Sequence, residues 1–364
     1  MKSDFFVYNL FQGKYPHPMQ DAPLPVYEST RLIGLELEYD CGSAEFRAPD
    51  SIPNWQSKLD GSLSNGREFV LEPAVAYNEL MPHVKAFCDA FDPIKIGLTS
   101  RGGYHVHVQT DDYDHVHVYK LATIYTRFQN VINELLAKSR TNNRFCMPFG
   151  QGITQASLVE EFDLELEARS RLDAKGSRTY RTINFAMMRC QNPQNRSVEF
   201  RQGSPSKRFS NIYGWATLVV AMTDMALDDQ THALATQLSA DLEGFLCLLS
   251  HWERRVSAQN LVKWVQWRHQ IMNQAPTPEM IARLLAYLGS GSHGLFSIAT
   301  HLDTNYPTAT RLLDQAMRDS QVQRTGRRYH LTRLSEDVAA REDVARLLQA
   351  AQLREQDEAV PIEA

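Results

Sequence analysis

Paired cysteines are missing from this chain. Its five cysteines, Cys41, Cys88, Cys146, Cys190 and Cys247, are scattered, odd in number and nowhere form a CxxC. That excludes a disulfide framework or a cysteine zinc site as an organising device, favours a reducing compartment, and leaves the cysteines as buried small hydrophobes. Long apolar runs are missing too. The longest, around Ala216 to Leu227, is interrupted by Thr217, Thr223 and Asp224 and is too short to span a bilayer. Met1-Lys2-Ser3-Asp4 opens no apolar segment of signal-peptide type. Glycine is sparse, 18 residues in 364, with neither a GxxxxGK nor a GxGxxG phosphate loop. There is no excess of positive charge: the formal net charge of -5 gives no global attraction to nucleic acid or membrane. No solenoid-type repeat occurs. These absences, with an ordinary 43% hydrophobic and 22% charged composition, predict a soluble cytoplasmic globular protein without membrane partners.

One stretch organises what is present. In Gly34-Leu35-Glu36-Leu37-Glu38-Tyr39 the apolar residues Leu35, Leu37 and Tyr39 alternate with Glu36 and Glu38. Alternate side chains of a strand share a face. One face is therefore apolar, and the other holds two like charges that need water or a cation between them. The pattern recurs. Glu68, Val70 and Glu72 share a face after the turn-like Asp60-Gly61-Ser62. His105 and His107 share a face opposite Val106 and Val108, and Glu199 and Arg201 share one opposite Val198 and Phe200. Half-wet antiparallel strands are common, but their wet faces are usually filled by Thr, Ser, Lys and scattered charges. Glutamates, histidines and an arginine are instead metal ligands and phosphate partners. Carboxylates with a few imidazoles suit Mg²⁺ or Mn²⁺. Arg201 beside Glu199 offers a fork for phosphate oxygens.

The remaining pattern places these segments. Residues 1–30, with Pro16, Pro18, Pro23 and Pro25, read as an irregular arm. Strands are predicted at 31–40, 67–72, 94–98, 104–109, 180–186 and 197–202. Helices are predicted at 75–91, with Pro82 near the start, at 114–138, capped by Asp111 or Asp112, and from about 209 to 272. His115 and His117 mimic the HxH pair but fall at a helix head, where solvent exposure or capping is expected. The acidic run Glu160 to Glu167 reads as a solvated face, and Trp252, Trp264 and Trp267 read as helix packing.

In this order, Gly34-x-Glu36-x-Glu38, Asp60-Gly61-Ser62 with Glu68-Phe-Val-x-x-Pro73, Gly103-x-His105-Val-His107-Val, Tyr180-Arg181-x-x-Asn184 and Glu199-Phe-Arg201 resemble the amidoligase family. That family is a branch of the glutamine synthetase/glutamate–cysteine ligase (carboxylate–amine ligase) superfamily. The likeness covers about residues 28–230, and Asn143-Arg144-Phe145-Cys146-x-Pro148 resembles the family's loop before the second half of the domain. What the resemblance implies is an α+β fold, a curved antiparallel sheet backed by helices. It also implies an enzyme that uses ATP and Mg²⁺ or Mn²⁺ to phosphorylate a small-molecule or peptide carboxylate before an amine displaces the phosphate. By resemblance Glu36, Glu38, Glu68 and Glu199 are metal ligands, and His105 or His107 would add a ligand or a phosphate contact, with at most one histidine on a metal. Arg181 and Arg201 would hold phosphate and stabilise transferring charge. Asp60 and Asn184 would position metal-bound water or substrate. Leu71-Glu72-Pro73 departs from the small polar residue usual after the Glu68 position, which leaves Glu72 either in the site or facing solvent. Ligases of this superfamily often assemble, so a homo-oligomer is an open expectation.

The domain organisation expected is an arm over 1–30, an amidoligase-like domain over 31–273, a module over 277–334 and a charged helical tail over 335–364, with a linker at Gln274-Ala275-Pro276-Thr277-Pro278. In the module, a helix at Met280–Leu288, a short helix at Ser297–Leu302, a helix at Thr308–Arg318 opened by Pro307, and a hairpin at Val322–Leu331 turning at Gly326 together resemble a winged helix-turn-helix domain. Seven Arg or Lys stand against four Asp or Glu over 277–333, a net of about +3. Nucleic acid could then be a partner of residues 297–333, with Thr308, Thr310 and Arg311 at the major groove and Arg324, Arg327, Arg328 and Arg333 on phosphates. Protein contacts are the other use of such a module. Two readings of the whole chain compete with the ligase: a DNA-binding or ligand-sensing protein whose ligase-like domain is inactive, and a metal-dependent hydrolase.

Overall fold

In the computed structural model the chain divides into two compact units, one running to Met272 and the other from Asn273. The structure describes residues 22–40, 49, 51–63, 66–91, 102–137, 140–141, 146–148, 181–190 and 192–273. In the second unit it describes 281, 284–285, 288, 293–294, 306–319, 321–325 and 328–331. The expectations for Cys41, 94–98, Asn143-Arg144-Phe145, 160–167, Tyr180, the linker 274–278, Ser297–Leu302, Gly326, Arg327, Arg333 and the tail 335–364 lie outside the described residues.

The first unit is mixed α/β, built on a seven-stranded antiparallel sheet. Its strands are β1 (Leu32–Asp40), β2 (Trp55–Lys58), β3 (Gly66–Leu71), β4 (Val75–Ala76), β5 (Tyr104–Gln109), β6 (Ile183–Asn184) and β7 (Ser197–Gly203). Their order is β2-β3-β1-β5-β7-β6, with β4 also on β1. The alternation of β1 sets the layering. Ile33, Leu35, Leu37 and Tyr39 are fully buried on one face, and Glu36 and Glu38 lie on the other.

Helices cover the apolar face: α1 (Leu80–Phe91), α2 (His115–Glu134), α3 (Phe209–Met225), α4 (Asp229–Gln237), α5 (Leu242–Val256) and α6 (Leu261–Asn273). Beneath β1 and β3, Tyr39 stacks on Phe91 with centroids 5.2 Å apart, Phe87 on Phe91 at 4.5 Å, and Trp55 tilts onto Phe87 at 4.4 Å. Such rings bury large apolar areas. The apolar run at Ala216–Leu227 lies mostly in α3, the central helix of this layer, buried on nearly every side. Tyr104 Oη donates to the Ile212 carbonyl at 2.9 Å, and Tyr113 Oη donates to that of Thr223. Trp264 lies so close over Gly214 that a Cβ there would clash with its Nε1. Trp252 and Trp264 are buried packing residues, as read from the sequence. No helix among the described residues is long and apolar enough to cross a membrane.

Several boundaries differ from the sequence reading, for physical reasons. The helix expected from 75 starts at Leu80, because Val75 and Ala76 pair with Ile33 and Leu32 as β4. Pro82 still sits in the first turn, where a missing N–H is tolerated. Helix α2 is capped by Asp114, not Asp111 or Asp112. The Asp114 carboxylate accepts from the amides of Val116 at 2.8 Å and His117 at 3.0 Å, and His117 Nδ1 accepts from the Asp114 amide. Asp112 is held by Arg31, whose guanidinium also donates to Asp224 at 2.5 Å and to the Gln109 carbonyl at 2.7 Å while lying over the Tyr113 ring. Part of the arm is tied down: Val26 exchanges two backbone hydrogen bonds with Gln259. Cys88 and Cys146 are buried, but Cys190 is half-buried and Cys247 is exposed on the outer side of α5, whose inner side is taken by Phe245, Leu248 and Leu249.

The second unit contains α7 (Tyr306–Arg318) and a three-stranded antiparallel sheet of β8 (His293–Gly294), β9 (Val322–Thr325) and β10 (Arg328–Leu331), in the order β8-β10-β9. Leu284, Leu285, Leu288, Leu312, Leu313, Ala316, Val322 and Tyr329 form its core. The helix and hairpin agree with the sequence pattern. Strand β8, only two residues long, carries no periodic signal.

Candidate functional site

The polar face of the sheet gathers the ionisable pairs by register. Glu36 stands directly across from His105, Glu38 from Glu68, and Glu199 from both His107 and Asn184. Opposed residues on neighbouring strands bring their Cβ atoms to about 5 Å. Residues remote in sequence therefore meet because strand pairing leaves them no alternative.

His105 is the buried centre. Its Nδ1 is 3.1 Å from Glu36 Oε2 and 3.4 Å from Glu199 Oε1, and its Nε2 is 3.8 Å from Glu38 Oε1. His107 Nε2 lies 3.1 Å from Glu36 Oε1. Glu199 is held on both oxygens, by Arg201 Nη1 on Oε1 and by Asn184 Nδ2 on Oε2 at 2.7 Å. Asp60 lies in the turn after β2, where it accepts from the Ser62 amide at 2.5 Å.

Two sets of ligand atoms result, each within 4.8 Å of one another: Glu36, His107 and Glu199, and Glu38, Asp60 and Glu68. Asp60, read from the sequence as a positioning residue, thus lies among carboxylates, and His107 rather than His105 joins a three-ligand set. Arg181 is half-buried on a bridge to Met147, just before β6. Glu72 belongs to neither set. It follows the end of β3, is exposed, and pairs with Lys58 at 2.9 Å.

The electrostatics follow from crowding. Burial would raise the Glu36 carboxyl, but hydrogen bonds from His105 and His107 and their charge hold it well below the ordinary carboxylate range. Burial would lower His107, but its contact with Glu36 and the charges of Glu36 and Glu199 raise it. Glu68 faces Lys58 across β2 and β3 and acids on its other side. Burial first, then the charges of Glu36, Glu38 and Asp60, push it up to about 7. Five carboxylates with two imidazoles make a donor set that fits divalent cations. The Glu38 set is all oxygen, as Mg²⁺ prefers, and the Glu36 set adds one imidazole, which Mn²⁺ accepts.

Sequence reasoning missed Arg140, and it read Gly103 only as part of the motif around His105 and His107. Arg140 is 1% exposed, and its guanidinium donates to the carbonyls of Gly102, at 3.2 Å, and Arg201. A Cβ at Gly103 would lie 2.7 Å from Glu38 Oε2 and 3.0 Å from both Arg140 Nη2 and His105 Nε2. Only a residue without a side chain leaves room there. No local pattern marks Arg140, because its partners are remote in sequence.

No curated protein gives a significant match to this chain. A family model described as "Putative amidoligase enzyme" matches residues 67–212, a span that includes Glu68, His105, His107, Arg140, Arg181, Asn184, Glu199 and Arg201 and begins after Glu36, Glu38 and Asp60. The match supports a ligase-type enzyme.

Proposed function

We propose that the first unit is an ATP-dependent carboxylate–amine ligase with a sheet of glutamine synthetase type, working through an acyl phosphate. The observation that carries this reading is the convergence of two three-ligand sets, with Arg201 beside them, on one face of one antiparallel sheet. Glu36, His107 and Glu199 would hold one divalent cation and Glu38, Asp60 and Glu68 another. Bound there, Mg²⁺ or Mn²⁺ would neutralise phosphate and carboxylate charge so that two anions can approach. Arg201 and Arg181 would bind phosphate oxygens, with Arg201 oriented by Glu199. Asn184 fixes the second oxygen of Glu199 and so the direction of the first. His105, enclosed by three carboxylates, holds them in mutual register.

The test is nucleotide turnover. Full-length protein with Mg²⁺, ATP and mixtures of amino acids and polyamines should release ADP and phosphate together with an amide product, and Glu36→Gln should abolish the release. Turnover unchanged in that variant overturns the site. Hydrolysis with Zn²⁺ and no ATP would select the hydrolase.

For the second unit we propose a winged helix-turn-helix fold that contacts duplex nucleic acid. The supporting observation is a hairpin bearing Arg324 and Arg328 that follows α7 in a β8-β10-β9 sheet. Binding of a labelled duplex should weaken steeply with salt, since phosphate contacts release counterions. Absence of binding at low salt refutes the proposal.

A further inference from the structure

Arg140 is buried without a carboxylate within ion-pair distance among the described residues, and its Nε has no partner among them. A charge so placed is costly unless it is compensated. What it does have is position. Between β5 and β7 the pairing slips: Val106 faces Phe200 but Tyr104 faces Gly203. Such a bulge takes backbone groups out of the ladder. The Arg140 fork reaches across this irregularity, one nitrogen on the carbonyl of Gly102 just before β5 and the other on the carbonyl of Arg201 within β7. The neighbouring Gly103 carbonyl accepts from the Glu38 amide of β1 at 2.8 Å. Arg140 is itself fixed: its amide bonds the Ala137 carbonyl, and its own carbonyl accepts from Cys146 Sγ and Gln202 Nε2.

We infer that Arg140 is a positioning residue for the metal face, a fork that locks the β5–β7 bulge so that Glu38, His105 and Glu199 hold their places, with its positive charge set beside Glu38. This rests on the metal reading above. The charge would by itself repel a cation. Loss of the partners that orient ligands, however, typically weakens metal binding by about 10–100-fold, so positioning should dominate.

The experiment titrates metal-stripped full-length protein with Mn²⁺, reading free Mn²⁺ by electron paramagnetic resonance. Wild type should take up two ions. Arg140→Ala should bind roughly tenfold more weakly or worse, and millimolar guanidinium, but not the same concentration of NaCl, should restore binding. A general loss of fold would not be repaired by a denaturant cation. Arg140→Lys keeps the charge but loses the planar fork, so it should stay weak. Should the alanine variant not fold, the lysine variant decides alone. Wild-type affinity in that variant, or binding in Arg140→Ala equal to or tighter than wild type, overturns the inference while leaving the metal site standing. Wild-type protein that takes up no Mn²⁺ overturns the metal reading and this inference with it.

Discussion

Glu38 and Glu68 face each other directly across β1 and β3, two carboxylates paired where a sheet would ordinarily place opposite charges. Burial first, then the charges of Glu36, Glu38 and Asp60, let Glu68 hold its proton up to about pH 7, against an ordinary value of 4.5. A raised carboxyl pKa contributes stability that is present below pH 4.5 and lost as pH rises through about 7. Glu68→Gln should therefore raise the melting temperature of metal-stripped protein at pH 8 and change it little at pH 5. Thermal unfolding at the two pH values checks this. Added Mn²⁺ should stabilise wild type more than the variant at pH 8.

The two ligand sets are separable. Glu38→Gln should remove one Mn²⁺ from the titration and leave the other, and His107→Ala should do the same for the opposite set. His107→Ala should reduce Mn²⁺ affinity more than Mg²⁺ affinity, because only the former cation makes good use of an imidazole. Isothermal titration with each cation distinguishes the outcomes.

Arg31 is nearly buried between Asp112 and Asp224, with Tyr27 Oη also donating to Asp224 at 2.8 Å. Removing one partner of a buried ion pair leaves the others uncompensated and costs about 3–5 kcal/mol. Arg31→Met should lose about that much in urea unfolding.

The corrected helix cap gives a contrast. Asp114→Ala should cost about 1 kcal/mol by releasing the amides of Val116 and His117. Asp111→Ala should be nearly neutral in the same assay, because Asp111 is exposed and does not cap α2.

The sequence made legible whatever depended on local periodicity. The alternation of Leu35, Leu37 and Tyr39 with Glu36 and Glu38 gave β1 its two faces, and the His105/His107 pair gave β5 its own. Opaque were features set by distant partners. In β2 only Trp55 is buried, so no alternation announces a strand. Asp112 looked fit to cap α2 until Arg31, far upstream, is seen to hold it. The grouping of Asp60 with Glu38 and Glu68, and the grip of Arg140 on Gly102 and Arg201, depend on strand register rather than on any single segment.

That register has a consequence for synthesis. Glu36 emerges from the ribosome early and Glu199 late, because β7 follows β1 by most of the first unit. A nascent chain that has exposed β1, β3 and β5 carries the Glu38 set and both histidines but has no β7 to close the other. Such distant pairings fold slowly. The two ligand sets would therefore be completed at different moments during translation, first the all-oxygen one and then the one containing His107.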